Sequence, residues 1–314
     1  MGSRAGPHAA PTLPTYSQDM KISVIGAGQM GNGIAHVFAQ SGHDVTLIDI
    51  AQSGLDKGVA TISRNLDRQV AKGLLSADEK VSILQRITTS TDARNGVRSA
   101  QLIVEAATEN VELKLKIFRD LDAHAPDGCI LATNTSSISI TRIAAVTSRP
   151  HAVIGMHFMN PVPVMKLVEV IRGYDTSDEV TKAIVELSEA IGKVPVTVND
   201  YAGFIANRIL MPMINESIEA LFQGVAGVNE IDSIMKLGMA HPMGPLQLAD
   251  FIGLDTCLSI LRVLHEGLGA PKYAPCPLLV QMVTAGKLGA KSGEGFYVHT
   301  PGSKALIVAP AFQP

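Results

Sequence analysis

The chain has 314 residues, which is enough for about two domains of ordinary size. Its formal net charge of −3 at pH 7 gives no basic surface of the kind that binds nucleic acid, and no apolar run is suited to span a membrane. The three cysteines form no Cys-x-x-Cys pair, so we expect reduced thiols, a cytoplasmic setting and no metal site.

The first 19 residues are rich in Pro, Ala, Ser and Thr and lack the apolar core of a secretory signal. We interpret residues 1–19 as a disordered extension or a remnant of expression cloning, without a function. Met20 is the expected natural start.

Short apolar runs alternate with segments of helical periodicity between residues 20 and 200. Strands are predicted at 21–26, 44–50, 100–107, 128–134, 151–158, 165–171 and 193–200, and helices at 30–41, 54–73, 111–123, 137–146 and 178–191. A capping pattern, Ser76 with Glu79, marks the start of a further helix. This alternation predicts a mostly parallel, doubly wound α/β sheet of the Rossmann type.

The pattern changes to helical periodicity after Asp200. Helices are predicted at 203–222, 229–238, 245–267 and 276–286. We therefore expect two domains, an α/β domain over 20–200 and an all-α domain over 201–314. Pro212 lies inside the first of these helices and predicts a kink or a break.

The segment GAGQMG, residues 26–31, fits Gly-x-Gly-x-x-Gly and stands between a predicted strand and a predicted helix. This context is typical of a dinucleotide-binding loop, in which the helix start offers N–H groups to the pyrophosphate. The expected cofactor contacts in this loop are Gly26, Gly28, Gln29, Met30 and Gly31.

Asp49 ends the second predicted strand, about 20 residues after the loop. A carboxylate in that position would accept hydrogen bonds from the adenosine ribose and would repel a 2′-phosphate, so we predict NAD rather than NADP as cofactor. The alternative is a tight structural turn followed by a surface aspartate, which requires strand, helix and acid to coincide by chance.

NTSS, residues 134–137, follows a predicted strand whose carboxyl end should line the ligand crevice. Asn134 and Ser136 are thus candidates for hydrogen bonding there. Ser136 could equally be the N-cap of the next helix, and the two interpretations stay open.

His157 ends another predicted strand on the crevice side, and Glu169 lies on the apolar face of the next strand. A glutamate among apolar residues is costly unless it is paired, so His157 is its natural partner if the strands are adjacent. A carboxylate would orient the imidazole as a general base requires. Without a cofactor nearby such a pair is more often structural, but a nicotinamide in the same crevice favours catalysis.

Asn207 lies among apolar residues near the start of the first C-terminal helix. It is either an amide satisfied between helices or a hydrogen-bonding group that faces the substrate. The methionines farther along these helices are interpreted as core or dimer packing.

Six segments carry a resemblance to one family: VIGAGQMGNGIA, VEAATENVELK, NTSSISI, GMHFMNPVPVMKLVEVI, GFIANRI and KLGAKSGEGFY. Residues 20–298 resemble the L-3-hydroxyacyl-CoA dehydrogenase family, and most closely its single-function bacterial members. The resemblance implies NAD-dependent oxidation of a short (S)-3-hydroxyacyl-CoA, such as 3-hydroxybutyryl-CoA, to the 3-ketoacyl-CoA. It also implies a homodimer formed through the helical domain, which would supply one wall of the substrate cleft.

The resemblance implies a role for each matching residue. His157 would be the base and Glu169 its support, and Ser136 and Asn207 would position the substrate. The matches to cofactor positions are Glu109, Lys114, Asn134, Ser136, Asn160 and Lys291, and those to CoA positions are Lys72 and Asn65. Asn65 departs from the family, since some members have a serine there.

Two rival functions remain open at this point. One is a related dehydrogenase of a hydroxy acid without CoA, such as L-gulonate, and Lys72 and the region of Asn65 argue modestly against it. The other is a non-catalytic, crystallin-like NAD-binding protein, which the intact set of Ser136, His157, Glu169 and Asn207 disfavours.

Overall fold

A computed structural model describes residues 19–303 and 305–313. The predicted extension, residues 1–19, lies outside the described part of the chain except for Asp19. The contacts divide the chain into two compact units, with the boundary between Asp200 and Tyr201.

The first unit is built around an eight-stranded sheet with the order β3-β2-β1-β4-β5-β6-β7-β8. The strands are β1 Lys21–Ile25, β2 Asp44–Ile48, β3 Ile87–Ser90, β4 Leu102–Glu105, β5 Ile130–Thr133, β6 Val153–Phe158, β7 Leu167–Arg172 and β8 Val194–Asn199. The helices are α1 Gln29–Gln40, α2 Gln52–Ala71, α3 Ala77–Gln85, α4 Ala93–Gly96, α5 Val111–His124, α6 Ile140–Ala144 and α7 Asp178–Ala190. All neighbouring strands are parallel except β6 and β7. The predicted Rossmann-type fold is confirmed.

The central strands explain the continuous apolar runs of the sequence. β4, β5 and β6 are buried at every position, because helices cover both faces of a parallel sheet. The strand order changes direction between β1 and β4, which opens a crevice at the carboxyl ends of these strands.

Local polarity accounts for two differences from the predicted elements. β3 was not predicted, since it is an edge strand with the polar sequence ITTS and no fully buried residue. The helix predicted at 137–146 is the shorter α6, because Ser139 acts as its N-cap and accepts a hydrogen bond from the backbone of Arg142. The capping box of Ser76 and Glu79 at the start of α3 is confirmed.

The second unit consists mainly of helices: α8 Ala206–Phe222, α9 Val228–Gly238, α10 Pro245–Ile252, α11 Leu254–Leu268 and α12 Pro277–Thr284, with the short strands β9 Tyr297–Val298 and β10 Ile307–Val308. The single helix predicted at 245–267 is wrong. Gly253 has φ +102°, which ends α10 and starts α11. α8 continues through Pro212, so the alternative of a helix break there is also wrong.

Two buried aspartates tie loops to helices within the second unit. Asp232 accepts hydrogen bonds from the backbone of Leu246 at 2.9 Å and from the hydroxyl of Tyr297 at 2.7 Å. Asp250 accepts from the backbone of Phe296 and of Tyr297, at 2.9 Å each. Within the described ranges, no helix is both long and apolar enough to cross a membrane.

Candidate active site

The glycine-rich loop turns tightly from β1 into α1. Gly26 has φ +98°, and a Cβ atom on Gly31 would overlap the carbonyl oxygen of Gly26, so both positions require glycine. Gly28 is the N-cap of α1 and no side chain caps the helix there, while a Cβ at Gly28 would meet nothing within 4 Å. The start of α1 is therefore open to an anion such as a pyrophosphate.

Asp49 follows β2 at the same edge of the sheet and is tied to this loop. Its Oδ2 accepts a hydrogen bond from the backbone of Ala27 at 2.8 Å, and its Oδ1 accepts from the backbone of Ala51 at 3.1 Å. The carboxylate is thus fixed beside the loop, as recognition of an adenosine ribose requires. Loop and acid together fit a dinucleotide.

Ser136, His157 and Glu169 form a continuous chain of polar side chains. Glu169 stands opposite His157 in the antiparallel β6–β7 pair, and its Oε2 lies 2.8 Å from Nδ1 of His157. Nε2 of His157 lies 3.1 Å from Oγ of Ser136. The histidine and glutamate side chains are 9% and 4% exposed, so the pair is shielded from water. A carboxylate can only accept, so Nδ1 donates and neutral Nε2 is left as the basic nitrogen.

Asn134 and Asn160 join the segments that carry these groups. Oδ1 of Asn134 accepts a hydrogen bond from the backbone of Phe158 at 2.8 Å. Oδ1 of Asn160 accepts from Nε2 of Gln29 at 3.2 Å, which links the turn after β6 to the first residue of α1. The histidine segment and the cofactor loop are therefore adjacent.

Lys193 holds the turn that contains Asn160, a role that sequence reasoning missed. Its Nζ donates to the carbonyl oxygens of Val162 at 2.5 Å and Met165 at 2.8 Å. Burial lowers the pKa of Lys193 from its ordinary value. Nothing in the sequence around Lys193, which precedes the edge strand β8, indicated that its side chain is buried.

A second buried pair, Lys114 with Glu105, lies beside the site. Nζ of Lys114 is 2.5 Å from Oε2 of Glu105, and both side chains are almost fully buried. Thr133 also donates to this oxygen, at 2.8 Å. Sequence reasoning overlooked Glu105, although a glutamate in the apolar run LIVEAA is the same signal that identified Glu169. The cofactor contact of Lys114 stays a prediction.

Glu109 lies between β4 and α5 and binds the segment that carries Ser136. Its Oε1 accepts hydrogen bonds from the backbone of Ser136 at 2.7 Å and from Oγ of Thr135 at 2.6 Å. Its predicted contact with the cofactor is a separate matter and stays a prediction.

The other predicted residues lie in other elements of the two units. Asn65 is on α2, where it accepts a hydrogen bond from Arg68, and Lys72 is the exposed C-cap of α2. Asn207 is buried in the first turn of α8, and Lys291 pairs with Asp255, both within the second unit. Met30 packs partly buried against the core of the first unit.

The cysteines are unsuited to nucleophilic catalysis. All three are free and buried, and burial raises the pKa of Cys129 and of Cys257 to about 12. A thiol of that pKa carries almost no thiolate at neutral pH. Over the described ranges, no group of three or more His, Cys, Asp and Glu side chains is arranged to hold a metal ion.

A dinucleotide loop beside a buried histidine–carboxylate pair defines the class of nicotinamide-dependent dehydrogenases. Two family models match the chain: 3-hydroxyacyl-CoA dehydrogenase, NAD binding domain, over residues 21–201, and 3-hydroxyacyl-CoA dehydrogenase, C-terminal domain, over residues 203–299. The chain belongs to the 3-hydroxyacyl-CoA dehydrogenase family, and NAD is its cofactor.

Individual relatives agree with this assignment. A 3-hydroxybutyryl-CoA dehydrogenase of Bradyrhizobium diazoefficiens is 54% identical over 277 residues, 88% of this chain and 94% of that protein. The crystal structure of an (S)-3-hydroxybutyryl-CoA dehydrogenase from Ralstonia eutropha is 49% identical, with a TM-score of 0.87 over 90% of this chain and 100% of that one. A diketoreductase described as acting on dicarbonyl compounds is 30% identical, with a TM-score of 0.78 over 90% of this chain and 100% of that one.

Proposed function

We propose that the chain interconverts (S)-3-hydroxybutyryl-CoA and acetoacetyl-CoA with NAD, through a base formed by His157 and Glu169. The observation that carries the proposal is the chain of contacts from Ser136 through His157 to Glu169, with distances of 3.1 and 2.8 Å. The names of the relatives at about half identity support the choice of substrate.

The pair would move one proton in each direction of the reaction. When bound, NAD accepts a hydride from C3 of the substrate. His157 takes the proton of the 3-hydroxyl group on Nε2 as C3 becomes a carbonyl, and the imidazolium is stabilised by Glu169. In the reverse direction the imidazolium returns the proton to the carbonyl oxygen. The burial of both side chains strengthens their attraction relative to water.

The remaining residues would bind and orient. Ser136, whose hydroxyl already contacts Nε2, would hydrogen-bond the reacting oxygen, and Asn207 is proposed for the same task from the family resemblance. The residues proposed to contact NAD are Gly26, Gly28, Gln29, Met30, Gly31, Asp49, Glu109, Lys114, Asn134, Ser136, Asn160 and Lys291. Lys72 and Asn65 are proposed to meet CoA, which is consistent with the exposure of Lys72 on α2.

NADH oxidation with acetoacetyl-CoA tests this function directly. We expect turnover with acetoacetyl-CoA, little with free acetoacetate, and a loss of about 10²–10⁴-fold in kcat for His157→Gln with NADH binding retained. His151→Gln, at an exposed histidine just before β6, is the matched control and should behave as the parent does. Near-parental turnover in His157→Gln would remove the proposed base.

A second candidate is reduction of a carbonyl compound without CoA, which the diketoreductase similarity favours. The same assay separates the two, because a free keto acid or diketone would then turn over faster than the CoA thioester. The absence of turnover with any of these substrates, together with tight NADH binding, would instead favour the crystallin-like binding protein.

We also propose a homodimer formed through the second unit. That unit exposes several large apolar side chains that a dimer interface would cover: Ile209, Phe222, Val225, Ile234, Leu237, Met239 and Phe251. Sedimentation analysis of the parent and of Leu237→Lys tests this, since a monomer in both would contradict it. A cytoplasmic location stays a prediction that the free cysteines support.

A further inference from the structure

The carboxylate of Glu109 is the common acceptor for the segment that follows β5. Its Oε1 receives hydrogen bonds from the backbone N–H groups of Ser136 at 2.7 Å and Ser137 at 3.0 Å. The hydroxyls of Thr135 and Ser137 donate to the same atom, at 2.6 and 3.0 Å. Successive N–H groups around one oxygen form the kind of nest that binds an anion.

This segment has no regular secondary structure to define its backbone. β5 ends at Thr133 and α6 begins at Ile140, so the position of Ser136 depends on side-chain hydrogen bonds. Thr135 connects Glu109 to the next part of the segment. Its hydroxyl donates a hydrogen bond to Glu109 and accepts one from the backbone of Ile138 at 2.9 Å. The hydroxyl of Ser136 lies 3.1 Å from His157, at the end of this arrangement.

No charged group competes with residues 135–137 for Oε1 of Glu109 among the ion pairs of the described residues. Lys114 lies 3.9 Å from Oε2 of Glu109 but is bound more closely to Glu105, at 2.5 Å. Glu109 itself is 44% exposed on its side chain, whereas Lys114 and Glu105 are almost fully buried. The donors that satisfy Oε1 of Glu109 are therefore the hydroxyls and N–H groups of residues 135–137.

We propose that Glu109 is a positioning residue for catalysis, which holds the Ser136 segment in the conformation that brings the serine hydroxyl to His157. The proposal rests on the proposed function, in which Ser136 and His157 act on the substrate. Glu109 works through Ser136, so its removal lowers kcat even at saturating NADH. A role of Glu109 in cofactor binding alone would instead raise the KM for NADH and leave kcat at saturating NADH unchanged.

Kinetics of Glu109→Ala, Glu109→Gln, Ser136→Ala and the double variant Glu109→Ala/Ser136→Ala test this. We expect Glu109→Ala to lower kcat about 10- to 100-fold, the scale of a small misplacement at a reacting centre. Glu109→Gln keeps an acceptor oxygen and should recover most of that loss. The double variant should be no slower than Ser136→Ala alone, because both changes remove the same interaction. Glu112→Ala, which removes an exposed carboxylate of α5, is the matched control.

Three results with these variants would overturn the proposal. The first is unchanged kcat in Glu109→Ala, and the second is weaker NADH binding, measured by NADH fluorescence, as the main effect of that variant. The third is an additive loss of kcat in the double variant, which would overturn the link through Ser136.

A readout without substrate separates this proposal from the proposed function. The ¹⁵N chemical shifts of His157, assigned by their loss in His157→Gln, report the hydrogen bond at Nε2. Glu109→Ala should shift the Nε2 signal toward its value in Ser136→Ala, even if no tested substrate turns over. An Nε2 signal unchanged from the parent would overturn the positioning role. If Glu109→Ala does not fold, Thr135→Val removes one donor to the same oxygen and is judged by the same shift.

Discussion

Glu169 lies directly opposite His157 in the β6–β7 pair, and its Oε2 atom is 2.8 Å from Nδ1 of the imidazole. Because the register of the two strands fixes both Cα positions, neither side chain depends on a flexible loop for its placement. Glu169 therefore favours the tautomer in which Nδ1 carries the hydrogen and Nε2 is the nitrogen that accepts a proton.

Replacement of Glu169 by Gln should lower kcat about 10²–10⁴-fold, since it removes the charge that stabilises the imidazolium. The amide keeps the size of the side chain, so thermal stability should change little. The measurement is kcat at saturating NADH and acetoacetyl-CoA, with Glu189→Gln, an exposed residue of α7, as control. Turnover close to that of the parent would mean that the pair is structural.

Ser136 and Ser139 should respond to alanine in opposite ways. Ser139 caps α6 and also donates to Asp200 at 2.7 Å, so Ser139→Ala should cost about 0.5–2 kcal/mol of unfolding free energy. Ser136 caps no helix, and Ser136→Ala should lower turnover while stability stays the same. Chemical denaturation and steady-state kinetics of both variants check this, and a stability loss confined to Ser136→Ala would contradict it.

The sequence was sufficient for features that depend on local pattern. The glycine loop, Asp49 and the two strands that carry His157 and Glu169 follow from apolar periodicity and from the cost of burying charge. The hydrogen bonds between Glu109 and residues 135–137 could not be predicted from the sequence pattern. They depend on β4 and β5 being neighbours in the sheet. The same adjacency sets Glu105 opposite Thr133, a pair that no sequence spacing indicates.

Boundaries were missed where one residue overrides the pattern around it. The apolar periodicity of 245–267 continues through Gly253, so the break is visible only in its positive φ of +102°. In α8 the sequence indicated a possible break that does not occur. Pro212 removes one backbone hydrogen bond, but the packing of the whole helix stays favourable. Tertiary contacts decide both cases.

Asp49→Asn should shift cofactor preference toward NADPH. The amide oxygen can still accept the hydrogen bond from Ala27, so the loop keeps its anchor while the negative charge is lost. Repulsion between unit charges about 4 Å apart is roughly 1–4 kcal/mol, so we expect the ratio of kcat/KM for NADPH over NADH to rise about tenfold or more. Asp44→Asn, at the opposite end of β2, is the control. An unchanged ratio would show that the charge of Asp49 does not select the cofactor.

His36 should make the protein less stable as the pH falls. It lies on α1 without measurable exposure, and its Nδ1 has no hydrogen-bond partner among the described residues. Burial is the main reason that the pKa of His36 falls from 6.5 to about 4, and the charge of Lys193 adds to the shift. Between these values the unfolded chain binds a proton that the folded chain does not, so the free energy of unfolding decreases toward low pH.

The lowered pKa of His36 sets the size of this pH effect. A pKa of 6.5 in the unfolded chain and of about 4 in the folded chain lowers the free energy of unfolding by up to about 3 kcal/mol. This loss begins below pH 6.5 and is complete below pH 4. Denaturation by urea at pH 7.5, 6 and 5 should show a steep decline in the parent and a flatter one in His36→Gln. Burial also lowers the pKa of His43, so His43→Gln should flatten the curve separately and leave the contribution of His36 in place. Parallel curves for the parent and His36→Gln would mean that His36 is protonated equally in both states.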